Sequence, residues 1–119
     1  MDYKKTIEKS TPRQRKLFYA LKNQGVPARL EFNDGYKTID IAVPDAMINI
    51  EVDGVPHNSF GKQALQDLKR TYHSIKNGYF TLRIPNSLID PYFDETVDLI
   101  VEILNESRDQ LENEEFFGE

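Results

Sequence analysis

Four acidic side chains stand out by type and spacing: Glu31, Asp40, Glu51 and Asp53. Each falls in a short run where apolar and polar residues alternate. Leu30 and Phe32 flank Glu31; Ile39, Ile41 and Val43 frame Asp40; Ile48, Ile50 and Val52 lead through Glu51 to Asp53. Side chains two apart on a strand face the same way, so all four acids take the polar phase of their strands. If the three strands are neighbours, the acids converge on one patch. Like charges that close repel and raise one another's pKa unless a cation neutralises them. Carboxylate and carbonyl oxygens suit a hard divalent ion, Mg²⁺ with Mn²⁺ as a substitute. The ordinary alternative is a solvated sheet face. Short surface strands seldom gather acids without compensating Lys or Arg, which singles out Asp40 with Glu51.

His57 lies four residues after Asp53, in Asp53-Gly54-Val55-Pro56-His57. Gly54 permits a tight turn and Pro56 restricts the backbone before the ring. A His held at a strand end beside carboxylates can act as a general base or position a water; a plain surface His is the alternative. Asp67 and Arg70 stand one turn apart on a predicted helix, with Asp67 at the margin of its apolar stripe, where an i,i+3 ion pair is the simpler reading. His73 points away from that stripe and reads as solvent-exposed. Lys4, Lys5, Lys9, Arg13, Arg15 and Lys16 form a basic cluster, suited either to salt-dependent phosphate contact or to a solvated helix face. No P-loop, dinucleotide fingerprint, zinc motif or serine triad context is present.

The elements that must position these residues are legible from their punctuation. Thr11-Pro12-Arg13-Gln14 announces a helix, with Thr11 as N-cap, Pro12 at the first helical position and Gln14 as the reciprocal capping residue. Leu17, Ala20 and Leu21 form its apolar stripe and Gly25 its C-cap. Three strands follow, with a turn at Asn33-Asp34-Gly35 and a break at Pro44-Asp45. A helix is predicted from about Phe60 to Asn77, stopped by Gly78. Phe80, Leu82 and Ile84 mark a fourth strand, and Val97, Ile100, Val101 and Leu104 a last helix. The order α-β-β-β-α-β-α describes a small α/β domain with a mixed sheet of about four strands flanked by helices.

The chain has 119 residues, 39% of them apolar, which argues for one domain over 1–119 with a real core. The absence of Cys excludes disulfides, thiolate metal sites and Cys nucleophiles. With no long apolar run and a polar Met1–Ser10, the expectation is a cytoplasmic protein without membrane contact. The net charge of −5 conceals a gradient. Residues 1–37 hold nine Lys/Arg against four Asp/Glu, whereas residues 88–119 hold Arg108 against eleven acids. Residues 1–9 read as a basic arm, and 112–119 as an acidic, frayed tail.

Asp40, Glu51-Val52-Asp53-Gly54, His57, Asp67-Leu68-Lys69-Arg70 and Gly78 with Arg83-Ile84-Pro85-Asn86 resemble the nuclease domain related to very-short-patch repair endonuclease. That group lies within the restriction-endonuclease-like, or PD-(D/E)xK, superfamily and includes nuclease domains of some phage homing endonucleases. The resemblance runs from about Thr11 to Ile89. It implies a restriction-endonuclease-like fold, with Asp40 and Glu51 as Mg²⁺ ligands, Asp53 supporting them, His57 acting on the attacking water and Asp67 as a further catalytic acid. The chain departs from the pattern twice. The superfamily's Lys is Asp53 here, a form common in the subgroup, and Gln14 replaces a helix Glu; a neutral amide can hydrogen-bond a water but cannot ionise.

The expectation is a metal-dependent endonuclease hydrolysing DNA phosphodiester bonds, with Arg13, Arg15, Lys16, Lys69 and Arg70 on the nucleic acid. The alternative is a non-catalytic nucleic-acid or protein-binding module that keeps the fold. A chain this small shows no specificity domain, so sequence choice would come from a homodimer mate, a separate partner or a fused domain.

Overall fold

The computed structural model describes residues 8–53, 68–69, 73–74 and 77–117. Helix α1, Pro12–Asn23, starts as its sequence demands: the Thr11 hydroxyl accepts from the Gln14 amide at 3.2 Å, and the Gln14 side-chain oxygen accepts from the Thr11 amide at 3.0 Å. Two orphan helix-end donors are thereby satisfied reciprocally. The helix stops in a Schellman turn, in which Val26 N–H donates to the Leu21 carbonyl and Gly25 N–H to that of Lys22. Gly25 takes φ +83°, which favours a residue without Cβ.

Strand β1, Arg29–Asn33, turns through Asn33-Asp34-Gly35 into β2, Thr38–Val43. The Asn33 side chain accepts from Gly35 N–H, and that of Asp34 from the amides of Tyr36 and Lys37. These Asx bonds set the direction in which Lys37 leaves the turn. A 3₁₀ turn at Pro44–Ala46 leads to β3, Ile48–Asp53. Strand β4, Phe80–Pro85, then lies parallel to β3, whereas β1/β2 and β2/β3 are antiparallel, giving the sheet order β1-β2-β3-β4. A parallel neighbour requires a crossover. Between Asp53 and Phe80, the described residues Leu68, Lys69, His73 and Ser74 have helical backbone. Beyond β4 come a single turn, α2 (Asn86–Ile89), and the long α3 (Phe93–Phe117).

One face of the sheet carries the core. Leu17, Phe18 and Leu21 of α1 and Val97, Ile100 and Leu104 of α3 pack on Leu30, Ile41, Val43, Ile48, Ile50 and Ile84. Each fully buried aliphatic side chain there contributes about 1.5–3 kcal/mol. A hydrogen bond and an ion pair from α3 brace the β2–β3 turn: Ser107 Oγ donates to the Ala46 carbonyl at 2.8 Å, and Arg108 Nε lies 3.0 Å from Asp45 Oδ2. The mixed four-stranded sheet flanked by helices is the architecture the sequence predicts. The sequence reading ends α3 near Leu111, but its backbone is helical to Phe117. No Gly or Pro interrupts it before Gly118, so the helix outlasts its buried stripe.

Strict alternation fails at one point. Ile39 is in phase with Ile41 and Val43 yet stands outside their cluster; it lines a cavity on the other side of the sheet with Asn49. Glu31, between the paired residues Leu30–Ile41 and Phe32–Ile39, has φ +51°, which breaks the pleat where Asp40 passes.

Candidate active site

Asp40 and Glu51 come together. The β2/β3 register pairs Ile41 with Ile50, so the next step along the strands sets Asp40 opposite Glu51. The Asp40 carboxylate reaches into the ladder and accepts from the Val52 amide, 2.9 Å from Oδ2. It also hydrogen-bonds the Glu51 carboxyl. Burial, then the Asp40 charge and that hydrogen bond, push the Glu51 pKa up to about 8, against the opposing pull of Lys37 and Arg83. A proton on Glu51 relieves the repulsion between the two carboxylates. Glu31 is drawn into the same field. Burial and Asp40 raise its pKa, and Lys9 lowers it.

Asp53 stands apart, at the end of β3, with Arg83 Nη1 3.9 Å from its Oδ2. Arg83 is the β4 register partner of Glu51 and serves both acids. Lys37 Nζ lies 3.8 Å from Glu51 Oε1, its side chain only 10% exposed. Lys37 and Arg83 are thus basic partners that reasoning on the acids alone missed. The signal for Arg83 was the parallel register, unreadable before β4 is placed. For Lys37 it was the Asx-stabilised turn before β2.

Among the described residues, no three His, Cys, Asp or Glu side chains gather closely enough to hold a metal ion. The donors that do meet, the Asp40 and Glu51 carboxylates, offer hard oxygens only and fit Mg²⁺ or Mn²⁺ in chemical type. His57, Asp67 and Arg70 lie outside the described residues. Lys69 is described and exposed, on helical backbone.

The predicted phosphate-binding side chains of α1 make internal contacts. Arg13 forms a two-pronged pair with Asp90, 2.9 and 2.7 Å, which raises the Arg13 pKa and lowers that of Asp90 through hydrogen bonding. Arg15 Nη1 donates to the Ser10 carbonyl at 2.7 Å, and Lys16 sits over the Phe93 ring at 4.1 Å. Gln14 is buried with its oxygen engaged by the cap. His73, read from sequence as solvent-exposed, is half-buried, stacked on Tyr36 with ring centroids 4.6 Å apart and 3.9 Å from Asp34 Oδ2. The helical wheel missed this because the β1–β2 turn, distant in sequence, reaches the ring.

The site is thus a carboxylate pair where the second and third strands of a small mixed sheet meet. Among solved structures, the chain is similar to one titled "Homing Endonuclease I-Bth0305I Catalytic Domain", with TM-score 0.66 and 18% sequence identity over 82% of this chain and 98% of that one. At that identity the likeness is one of fold. No protein-family model matches the chain, and no curated protein sequence does. No helix among the described residues is long and apolar enough to cross a membrane.

Proposed function

We propose that the protein is a divalent-metal-dependent endonuclease hydrolysing DNA phosphodiester bonds, related to the very-short-patch repair group. The observation that carries this reading is the Asp40–Glu51 carboxylate pair, half-buried side by side on a nuclease-like sheet, with the Glu51 pKa raised by burial and by Asp40. Asp40 and Glu51 would hold Mg²⁺ or Mn²⁺, and Asp53 would support the site. When bound, such an ion supplies Lewis-acid polarisation of the phosphoryl group. Asp40 is pre-oriented for ligation by the Val52 amide, and Lys37 places positive charge where a phosphate would add negative charge. His57 would position or deprotonate the attacking water, with Asp67 as a further acid, and Lys69 and Arg70 would meet phosphates alongside Arg13, Arg15 and Lys16.

A second reading has one observation in its favour. Gln14 stands where the resemblance expects Glu, and its oxygen caps α1. A non-catalytic nucleic-acid or protein-binding module could keep the fold without that acid. Supercoiled plasmid separates the two. The enzyme should nick or linearise it with Mg²⁺ or Mn²⁺ and stop with EDTA. Asp40→Ala should fall to background, and His57→Ala should slow about 10²–10⁴-fold. Cutting by Asp40→Ala at the wild-type rate would defeat the mechanism; DNA bound but never cut would select the second reading.

A further inference from the structure

A cavity of about 350 Å³ opens on the sheet face opposite the core, lined by Phe32, Ile39, Asn49, Ser74 and Tyr79, with Asp34 on its wall. Its volume falls within the roughly 300–1,000 Å³ of small-ligand pockets. Two of its polar side chains are almost wholly buried, Asn49 at 2% and Ser74 at 3% exposure. Asn49 Oδ1 and Ser74 Oγ nevertheless have no hydrogen-bond partner among the described residues. Leaving one such group unsatisfied costs about 1–3 kcal/mol, so Asn49 and Ser74 together mark a place in the cavity where something else completes the bonding.

The lining selects the chemistry of that occupant. Among the described lining residues Asp34 is the only carboxylate, and its negative charge disfavours an anion. Amide and hydroxyl groups set against Phe32, Ile39 and Tyr79 suit a flat, neutral group with N–H and C=O on its edge and apolar faces. The position adds a second constraint. Asn49 and Glu51 are two residues apart on β3, side chains toward the same face, about 7 Å along the strand. A group in the cavity is therefore a near neighbour of anything held at Asp40 and Glu51.

We propose that this cavity receives a nucleobase, splayed out of its stack beside the phosphate at the carboxylate pair. The inference rests on the nuclease reading for the source of the base, and on the cavity's own chemistry for its fit. Asn49 Oδ1 accepts from an exocyclic amine or ring N–H, Ser74 bonds the same edge, and Phe32 or Tyr79 covers a ring face.

The test uses the full chain in EDTA, so that bound DNA stays intact, with oligonucleotides carrying 2-aminopurine, which brightens when unstacked. Binding is followed separately by anisotropy. Wild type should give a several-fold fluorescence rise on binding; Ser74→Ala and Asn49→Ala should lose most of it while still binding DNA. Ser74→Ala is the milder change, and circular dichroism confirms that each variant folds. DNA bound with no rise, or an equal rise in both variants, overturns the base pocket and leaves the nuclease reading standing. If wild type neither binds nor cuts DNA, that reading fails, and free nucleosides decide the cavity by saturation-transfer NMR. Nucleoside signals abolished by Ser74→Ala support it; no signal for any nucleoside overturns it.

Discussion

Glu51 is the residue on which the site's chemistry turns. Its folded pKa, pushed up to about 8 by burial and by Asp40, exceeds the ordinary carboxylate value of 4.5. The folded chain therefore holds a proton that the unfolded chain releases between those two values. Where the native state binds more protons, stability falls as pH rises. In EDTA the melting temperature should decline from pH 5 to pH 8, and Glu51→Gln, neutral throughout, should flatten that slope and melt higher than wild type at pH 8. A wild-type profile without decline across this window would remove the proton held on Glu51. Lys37 and Arg83 limit the shift, because each favours the ionised form.

At the scale of the element, the ends of helices and the tightness of turns carry identifiable increments. Thr11→Ala removes the N-cap acceptor of α1 and leaves the Gln14 amide without its hydroxyl partner, which should cost about 1 kcal/mol in urea unfolding. Gly78 is held more tightly. It sits at φ +81°, just before β4, with Tyr79 N–H donating back to the Ser74 carbonyl at 2.9 Å. A Cβ there would stand 2.8 Å from Met47 Cε. Gly78→Ala should destabilise by about 1–2 kcal/mol from the backbone alone. Adding Met47→Ala should relieve the contact without restoring the backbone term, so the double-mutant cycle should show coupling. The element also explains why Glu31 and Asp40 meet: the positive φ of Glu31 lets β1 break its pleat beside Asp40 while the register holds on both sides.

Across the whole molecule, charge is segregated. The first third of the sequence is basic and the last quarter acidic, and Arg13–Asp90 ties the start of α1 to the end of α2 across 77 residues of sequence. Part of the positive charge expected to meet phosphates is thus engaged internally. DNA affinity should be weak and fall with salt, because counterion release scales with the phosphates neutralised. Deleting residues 1–9 should lower the affinity and flatten its slope against log salt; a titration insensitive to salt would contradict the electrostatic picture.

The sequence by itself determined the local and periodic features. The capping box at Thr11 and Gln14, the Schellman turn at Gly25, the Asx turn at Asn33-Asp34-Gly35 and the four strands all follow from bonds between residues a few positions apart. The convergence of Asp40 and Glu51 was legible for the same reason, since an antiparallel pair joined by a short turn has little freedom of register. The tertiary structure alone decided the rest. Asp53 diverged from the pair toward Arg83, Lys37 moved in beside Glu51, Ile39 changed faces, and Asn49 and Ser74 came to share a cavity. Each of these depends on which remote segment packs alongside and on the dielectric that packing creates, and neither quantity is encoded in the spacing of residues along one strand.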